Sequence, residues 1–256
     1  MKISFLIPVH NEEKIIKKPL ENLKKIKSFY KNIEVLVGLD GCTDNTLKIV
    51  KQYKFVKYFI LNERKGKPPV IDKLIKKSKG DIIVIHDADW IFKVNKKSDL
   101  INMVNWFKDS KLGGIAESYP IEYDLKKIDK INSLAYLSSM WGSYFWMEFQ
   151  KKKFTKRINK NLYINPRSKN FPFLINIFRK KLYKKNFTLG DDFERTIDIL
   201  NQGYSIRVLE DPNLPRMHTI FNKMTFKDIL KQKLRTSVAR NQVFNKYKLN
   251  IGFFNF

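Results

Sequence analysis

Over the first hundred residues, short unbroken apolar runs alternate with segments whose apolar positions recur every three or four residues. Ile3 to Val9 (ISFLIPV) is the first run, and a helical pattern follows from about Glu12 to Phe29 with Ile15, Ile16, Leu20, Leu23 and Ile26 on one side. Ile33 to Leu39 is the second run; it ends at Asp40-Gly41, where Thr43 or Asp44 can cap a helix from Asn45 to Tyr53. Phe55 to Leu61 reads as a third strand, Pro69 to Ser78 as a helix, and Asp81 to Ile85 as a fourth strand closing on His86-Asp87-Ala88-Asp89. Strands that are apolar throughout, rather than at every second position, are buried on both faces. The pattern therefore predicts an α/β fold, a Rossmann-like and mostly parallel sheet flanked by helices. Ligands on such sheets bind beyond the carboxyl ends of the strands, which is where the polar clusters after strands one, two and four lie. Past Leu100 the pattern weakens to a helix around residues 98–108, an aromatic-rich stretch from Ile131 to Phe149, and a helix from Asp192 to Gln202 stopped by Gly203.

Composition narrows this picture. A chain of 256 residues with 43% hydrophobic and 14% aromatic residues can bury a real core, which excludes intrinsic disorder. The length suits one large domain with a smaller appendage. The expected division is a domain over residues 1–215, in two halves (1–110 and 111–215), followed by a basic helical extension over 216–256. The single cysteine, Cys42, cannot form an internal disulfide and reads as a small turn residue. One cysteine and three histidines assemble no zinc set. No stretch of about 18 residues is apolar enough to span a membrane. The N-terminus meets Pro8, His10, Asn11, Glu12 and Glu13 where a signal peptide still needs apolar residues, so it reads as a strand.

The net charge of +26 is unevenly placed. Lys151 to Lys185 holds thirteen Lys/Arg and no Asp/Glu, and Pro215 to Phe256 holds nine basic residues against Asp228 alone, whereas Asn186 to Leu214 is net acidic. Nucleic acid, an anionic membrane and a phosphate-bearing substrate are the partners such a field suits.

Four clusters carry candidate chemistry. Asp87-Ala88-Asp89 puts two carboxylates at a strand-to-loop corner, a pair suited to Mg²⁺ or Mn²⁺. About twenty residues upstream, Asn62 to Lys67 (NERKGK) is a basic, Gly-containing loop suited to a diphosphate, although Pro68 after Lys67 rules out a Walker A loop. Asp40 to Asp44 (DGCTD) ends the second strand with an acidic side chain where a ribose or base edge can be held. Gly190 to Glu194 (GDDFE) opens a helix with adjacent carboxylates, a pattern that also serves plain helix capping.

Taken together these residues resemble an inverting family 2 glycosyltransferase of the GT-A fold. The resemblance runs in order through IPVHNEE (Ile7 to Glu13), DGCTDNT (Asp40 to Thr46), RKGKPPVIDK (Arg64 to Lys73), DAD (Asp87 to Asp89), GDDFERTIDILNQGYSI (Gly190 to Ile206) and QKLRT (Gln232 to Thr236). His10 stands where the family often has Tyr or Thr, and Thr236 where its processive synthases have Trp, which favours transfer of one or a few sugars.

The resemblance implies a nucleotide-diphosphate sugar as donor and a divalent metal held by Asp89 with Asp87, and with His218 as a further ligand. It implies nucleotide contacts from Pro8, Asn11, Glu12, Asp40 and Asp87, with Arg64, Lys67, Gln232 and Arg235 serving the diphosphate. Asp192 is implied as general base, beside Asp191. Tyr136 to Phe149 followed by Lys151-Lys152-Lys153 has the aromatic-plus-basic make-up of an interfacial segment. That points to a lipid-linked or cell-surface glycan acceptor, to peripheral contact with an anionic membrane, and to a cytoplasmic location at its inner face. The rival reading is a basic single-stranded nucleic-acid or anionic-surface binding protein without catalysis. Asp40, Asp44, Asp87, Asp89, Asp191 and Asp192 on one sheet edge would repel phosphates unless a metal intervenes, so no nucleic-acid partner is expected.

Overall fold

A computed structural model describes residues 1–117, 141–142, 144–145, 148–149, 151–165, 175–211, 213–219 and 225–248. The first part of the chain is a regular alternation: β1 (Ile3–Val9), α1 (Lys17–Phe29), β2 (Ile33–Asp40), α2 (Thr46–Lys51), β3 (Val56–Leu61), α3 (Lys67–Lys77) and β4 (Ile82–Ile85). Then come β5 (Trp90–Lys93), α4 (Lys97–Trp106), β6 (Leu112–Glu117), β7 (Thr155–Ile158), β8 (Asn161–Ile164) and β9 (Ile175–Arg179). The chain continues through α5 (Asp191–Asn201), β10 (Ser205–Leu209), β11 (Arg216–Thr219) and α6 (Phe226–Tyr247).

The strands form one nine-stranded sheet in the order β3-β2-β1-β4-β9-β6-β10-β8-β7, plus a β11-β5 ribbon. β1 pairs in parallel with β2 and β4, β2 with β3, and β10 with β6. β9 and β8 run against the other strands, so the sheet is mixed but mostly parallel, as the apolar runs predict.

Alternation along β1 shows why both faces must be covered. Phe5 and Ile7 point into a core shared with Leu20, Leu23 and Ile26 of α1, whereas Leu6 points into one shared with Val70, Ile71 and Leu74 of α3. Every residue of β2 is buried. The predicted helix from Glu12 begins instead at Lys17, because the preceding turn is tied to the next loop: Thr46 Oγ1 and Asp44 Oδ2 accept from the Glu12 and Glu13 amides. Asp44 also accepts from the Thr46 amide, so it caps α2 and anchors the first loop at once.

Past residue 215 the chain first returns to the sheet ribbon, since Arg216 to Thr219 pair antiparallel with β5. The helical part starts at Thr225, whose side chain and Asp228 form a reciprocal capping box. α6 then packs on α5 through Val243 and Phe244, which join Phe154, Phe193 and Ile197 in one apolar cluster. Most of the aromatic-rich stretch, residues 131–140, lies outside the described residues. No described helix is long and apolar enough to cross a membrane.

Candidate active site

Because β1, β2 and β4 lie side by side and run in parallel, their carboxyl ends bring three exit loops to one edge. Asp40, the last residue of β2, is buried, and its carboxylate holds the basic loop in place. Oδ1 accepts from the Lys65 amide at 2.6 Å and Oδ2 from the Gly66 amide at 2.8 Å. The loop approaches so closely that a Cβ on Gly41 would stand 2.6 Å from the Arg64 nitrogen, and Gly41 has φ +60°; only glycine fits there. His10 Nδ1–H donates to the Asp40 carbonyl at 2.6 Å. Asn11, at φ 55°, accepts from the Thr43 amide at 2.8 Å, which ties the first loop to the second. Asp40 and Asn11, expected to touch the nucleotide, thus also shape the loops around it.

The loop delivers Lys67 to the end of β4, where Nζ stands 2.8 Å from Asp87 Oδ1. Burial alone would depress the Lys67 pKa. Asp87, then Asp191 and Asp192, outweigh it and push the pKa up, so Lys67 is a fixed cation among three carboxylates contributed by two distant segments. Burial would likewise raise Asp87, but Lys67 holds it below the usual carboxylate range. Asp89 fares differently: burial and the neighbouring Asp87 charge push it up to about 6. Glu12 is pushed up to about 6 by burial, then by Asp89 and Asp44. Behind this edge His86 is fully buried, edge-on to Phe5, with its Nδ1–H donated to the Asp87 carbonyl at 2.9 Å. Burial pulls it down to about 4, so it is neutral and positions the Asp87 backbone.

Three acids open α5, and the structure sorts them. Asp191 forms a buried ion pair with Arg195 one turn on, Oδ2 to Nη1 at 3.1 Å, and Arg195 also donates to the Ile175 carbonyl at 2.8 Å. Glu194 is fully buried; it accepts from the Thr188 amide at 3.0 Å and its hydroxyl at 2.7 Å, and pairs with Lys246 of α6. Asp192 accepts from the Phe193 amide at 2.8 Å and sits close enough to Lys67 for mutual attraction. Burial, then Asp191, pushes Asp192 up to about 6 against the pull of Lys67 and Arg195.

α6 closes the arrangement. Arg235 attracts both Asp87 and Asp89. Gln232 lies three residues earlier on the same helix, half-buried. The approach depends on Gly190, where a Cβ would meet Val243 at 3.1 Å, Phe193 at 3.2 Å and the Ala239 carbonyl at 3.3 Å. Pro8 lies in β1 opposite Gly38 of β2, Arg64 is exposed on the basic loop, and His218 pairs with Ile91, two residues beyond Asp89.

Sequence reasoning did not single out His86, Arg195 or Arg240. Arg195 had a signal, its spacing of four from Asp191 on a helix. Arg240 had none, because its attraction to Asp192 and its place 5.9 Å from the Phe193 ring arise from the α5–α6 packing.

Asp87, Asp89 and Glu12 suit a hard divalent cation. Asp87 and Asp89 stand two residues apart after β4, and burial followed by neighbouring acids raises Asp89 and Glu12. Among the described residues no three His, Cys, Asp or Glu side chains stand close enough to hold an ion by themselves. Such a site suits Mg²⁺ or Mn²⁺ shared between one or two carboxylates and substrate phosphates.

A nine-stranded, mostly parallel sheet with acidic loops at its carboxyl edge and a helix closing over them is the GT-A glycosyltransferase fold. The chain belongs to glycosyl transferase family 2, whose description matches residues 4–187. It is 26% identical over 218 residues to the probable glycosyltransferase YdaM of Bacillus subtilis, covering 80% of this chain and 48% of that protein. It is 30% identical over 139 residues to the poly-beta-1,6-N-acetyl-D-glucosamine synthase of Staphylococcus aureus, covering 53% of this chain and 33% of that one. The chain thus spans half or less of the length of these relatives. Among solved structures, a mannosyltransferase of Pyrobaculum calidifontis in complex with GDP-Man and Mn²⁺ superposes with a TM-score of 0.65 at 17% identity, over 96% of this chain and 64% of that one. TarS of S. aureus (residues 1–349) in complex with UDP-GlcNAc gives 0.59 at 17% identity, over 88% and 59%. At that identity these two likenesses speak to the fold.

Proposed function

We propose that the protein transfers a sugar, with inversion, from a nucleoside-diphosphate sugar to an acceptor hydroxyl. The observation that carries this reading is the placement of Lys67 between Asp87 at the end of β4 and the Asp191–Asp192 pair opening α5. That attraction supports reading Lys67 as the cation for the leaving diphosphate and Asp192 as the carboxylate for the incoming hydroxyl. In the reaction the acceptor oxygen attacks the anomeric carbon from the face opposite the diphosphate. The carbon–oxygen bond to the diphosphate breaks as the new bond forms, and the nucleoside diphosphate leaves with the electron pair. Asp192 takes the acceptor proton; a carboxyl raised to about 6 is a stronger base than an ordinary aspartate and still ionised at neutral pH. Lys67, Arg64 and Arg235, with Gln232, stabilise charge on the departing diphosphate.

A divalent cation, Mg²⁺ or Mn²⁺, would be held by Asp89 and Asp87 together with the substrate phosphates and would supply Lewis-acid charge at the diphosphate; His218, the further donor the resemblance implies, does not join them, among the described residues, in a group close enough to hold an ion by itself. Pro8, Asn11, Glu12, Asp40 and Asp87 frame the nucleoside. Asp191, held by Arg195, acts on the reaction by fixing its neighbour Asp192. The mannosyltransferase and TarS structures are complexes with GDP-Man and UDP-GlcNAc, both nucleoside-diphosphate sugars, which supports that donor class.

The acceptor we propose is a lipid-linked or cell-surface glycan, reached by a catalytic domain (1–215) and basic extension (216–256) at the inner face of an anionic membrane. Exposed Trp141, Tyr144, Phe145 and Phe149 next to Lys151 to Lys153 support that placement. Screening nucleoside diphosphates and their sugars for Mn²⁺-dependent thermal shift tests the donor reading, because a ligand bound by the native state alone raises the melting temperature. No shift with any of them, at any Mn²⁺ concentration, overturns it.

A further inference from the structure

α6 turns one side to the protein and the other to solvent, and among the charged and polar residues of the solvent side runs a stripe of four apolar ones. Ile229, Ala239, Val243 and Phe244 are buried, the last two against α5. On the outside Phe226, Leu230, Leu234 and Val238 are 64%, 49%, 59% and 49% exposed. Their spacing of four residues makes a stripe that winds slowly round the helix over three turns. Exposed Lys227, Lys231 and Lys233 flank it, and the acid on α6, Asp228, is engaged in the capping box. Single exposed leucines are ordinary, but a continuous apolar stripe rimmed with lysine marks a contact surface.

A second exposed apolar group is linked to the buried side of the same helix. Trp141, Tyr144, Phe145 and Phe149 are exposed, with Trp141 stacked on Phe145 at 5.8 Å. Phe149 meets Phe154 edge-on at 6.1 Å, and Phe154 is buried in the same cluster that receives Val243 and Phe244. The aromatic segment and α6 are thus fastened at one point.

We propose that the outer face of α6, Leu230, Leu234 and Val238 with Phe226, flanked by Lys227, Lys231 and Lys233, seats the protein on an anionic phospholipid surface. Charge decides between occupants. A second copy docked through the same face would set two patches of three lysines and one capped aspartate against each other, because a two-fold interface uses the same patch on both copies. An anionic bilayer offers acyl chains to the stripe and phosphates to its rim. Arg235, on this helix, attracts Asp87 and Asp89, so the proposed seating surface and the acidic site share one helix. The inference deepens the membrane-surface reading of the acceptor and rests on it.

The test is co-sedimentation of the full chain with phosphatidylcholine vesicles and with vesicles containing about one third phosphatidylglycerol, at low and high salt. The wild type is expected to bind the anionic vesicles and to release as salt rises. A Leu230→Ser/Leu234→Ser/Val238→Ser variant should bind at least about tenfold more weakly, and a Lys227→Gln/Lys231→Gln/Lys233→Gln variant should lose the salt-sensitive part. Circular dichroism melting confirms that each variant folds, since all six positions are exposed. Vesicle binding unchanged by the serine substitutions would overturn the assignment to α6. So would a wild type that ignores vesicles but sediments as a dimer that the serine variant breaks. Vesicle binding needs no donor, so a wild type that ignores anionic vesicles yet keeps its nucleotide-dependent thermal shift sinks the seating surface and leaves the transferase reading standing.

Discussion

Lys67 Nζ lies 2.8 Å from Asp87 Oδ1, and the two residues reach that contact from the start of α3 and the end of β4. The pair is the hinge of the site's electrostatics, because the same ammonium is attracted by Asp191 and Asp192 from α5. Lys67→Met removes the cation and leaves Asp87, Asp89 and Asp192 facing one another. We expect kcat/KM to fall by about 10²–10³, the usual effect of deleting one preorganised charge at a developing anion. Lys67→Arg should recover part of it. Steady-state kinetics with a donor found by thermal shift decides this; an unchanged kcat/KM would remove Lys67 from the diphosphate site.

Asp192→Asn keeps the shape of the helix N-terminus and removes the base. Turnover should drop by about 10²–10⁴, the span general-base catalysis covers, with nucleotide binding by calorimetry within a factor of two or so. Full turnover in this variant would reassign the base.

The pH dependence of that carboxyl runs in opposite directions for activity and stability. Asp192 is pushed up to about 6 in the folded chain, above its ordinary value of 3.8. Activity that needs its ionised form should therefore fall on an acid limb near pH 6. The folded state binds the proton more tightly than the unfolded chain does, so this group favours folding below its unfolded value, and the benefit is lost as pH rises through about 6. Metal-free protein should gain melting temperature from Asp192 as pH drops from 7 towards 4, and Asp192→Asn should flatten that rise. Differential scanning calorimetry in chelator reads both chains; a steeper rise in the variant contradicts the assignment.

Arg195→Met leaves the buried Asp191 carboxylate without its partner and the Ile175 carbonyl without a donor. Breaking a buried pair from one side costs about 3–5 kcal/mol. Urea unfolding should show that loss, and a change below about 1 kcal/mol would mean that Asp191 finds another cation or takes up a proton.

Asp40→Ala deletes the acceptor for the Lys65 and Gly66 amides. Because that carboxylate fixes the loop carrying Arg64 and Lys67, we expect the donor Kd to rise by about tenfold or more, the scale of one charge-assisted hydrogen bond or two. Stability should fall less than in Arg195→Met, since the loop is exposed. Asp40→Asn, which keeps the shape but not the charge, should fall between.

The order of strands and helices through β4 was legible in the chain, because strands buried on both faces must be apolar at every position and the helices beside them at every third or fourth. So was the edge at which chemistry gathers, since Asp40, Asp87 and Asp89 follow such strands directly. The spread of motifs over Ile7 to Thr236 was legible too, as a family resemblance. Packing alone decided the rest. No local pattern distinguishes Asp191 from Asp192; Lys67 attracts both, and only the ion pair of Arg195 with Asp191 separates the paired carboxylate from the one proposed as base. Nor does spacing tell which face of α6 is covered. Ile229, Ala239 and Val243 are inside because α5 lies there, and Leu230, Leu234 and Val238 are outside because no described element does. Hydrophobic periodicity records that a residue is apolar, whereas burial depends on what the remainder of the chain brings against it.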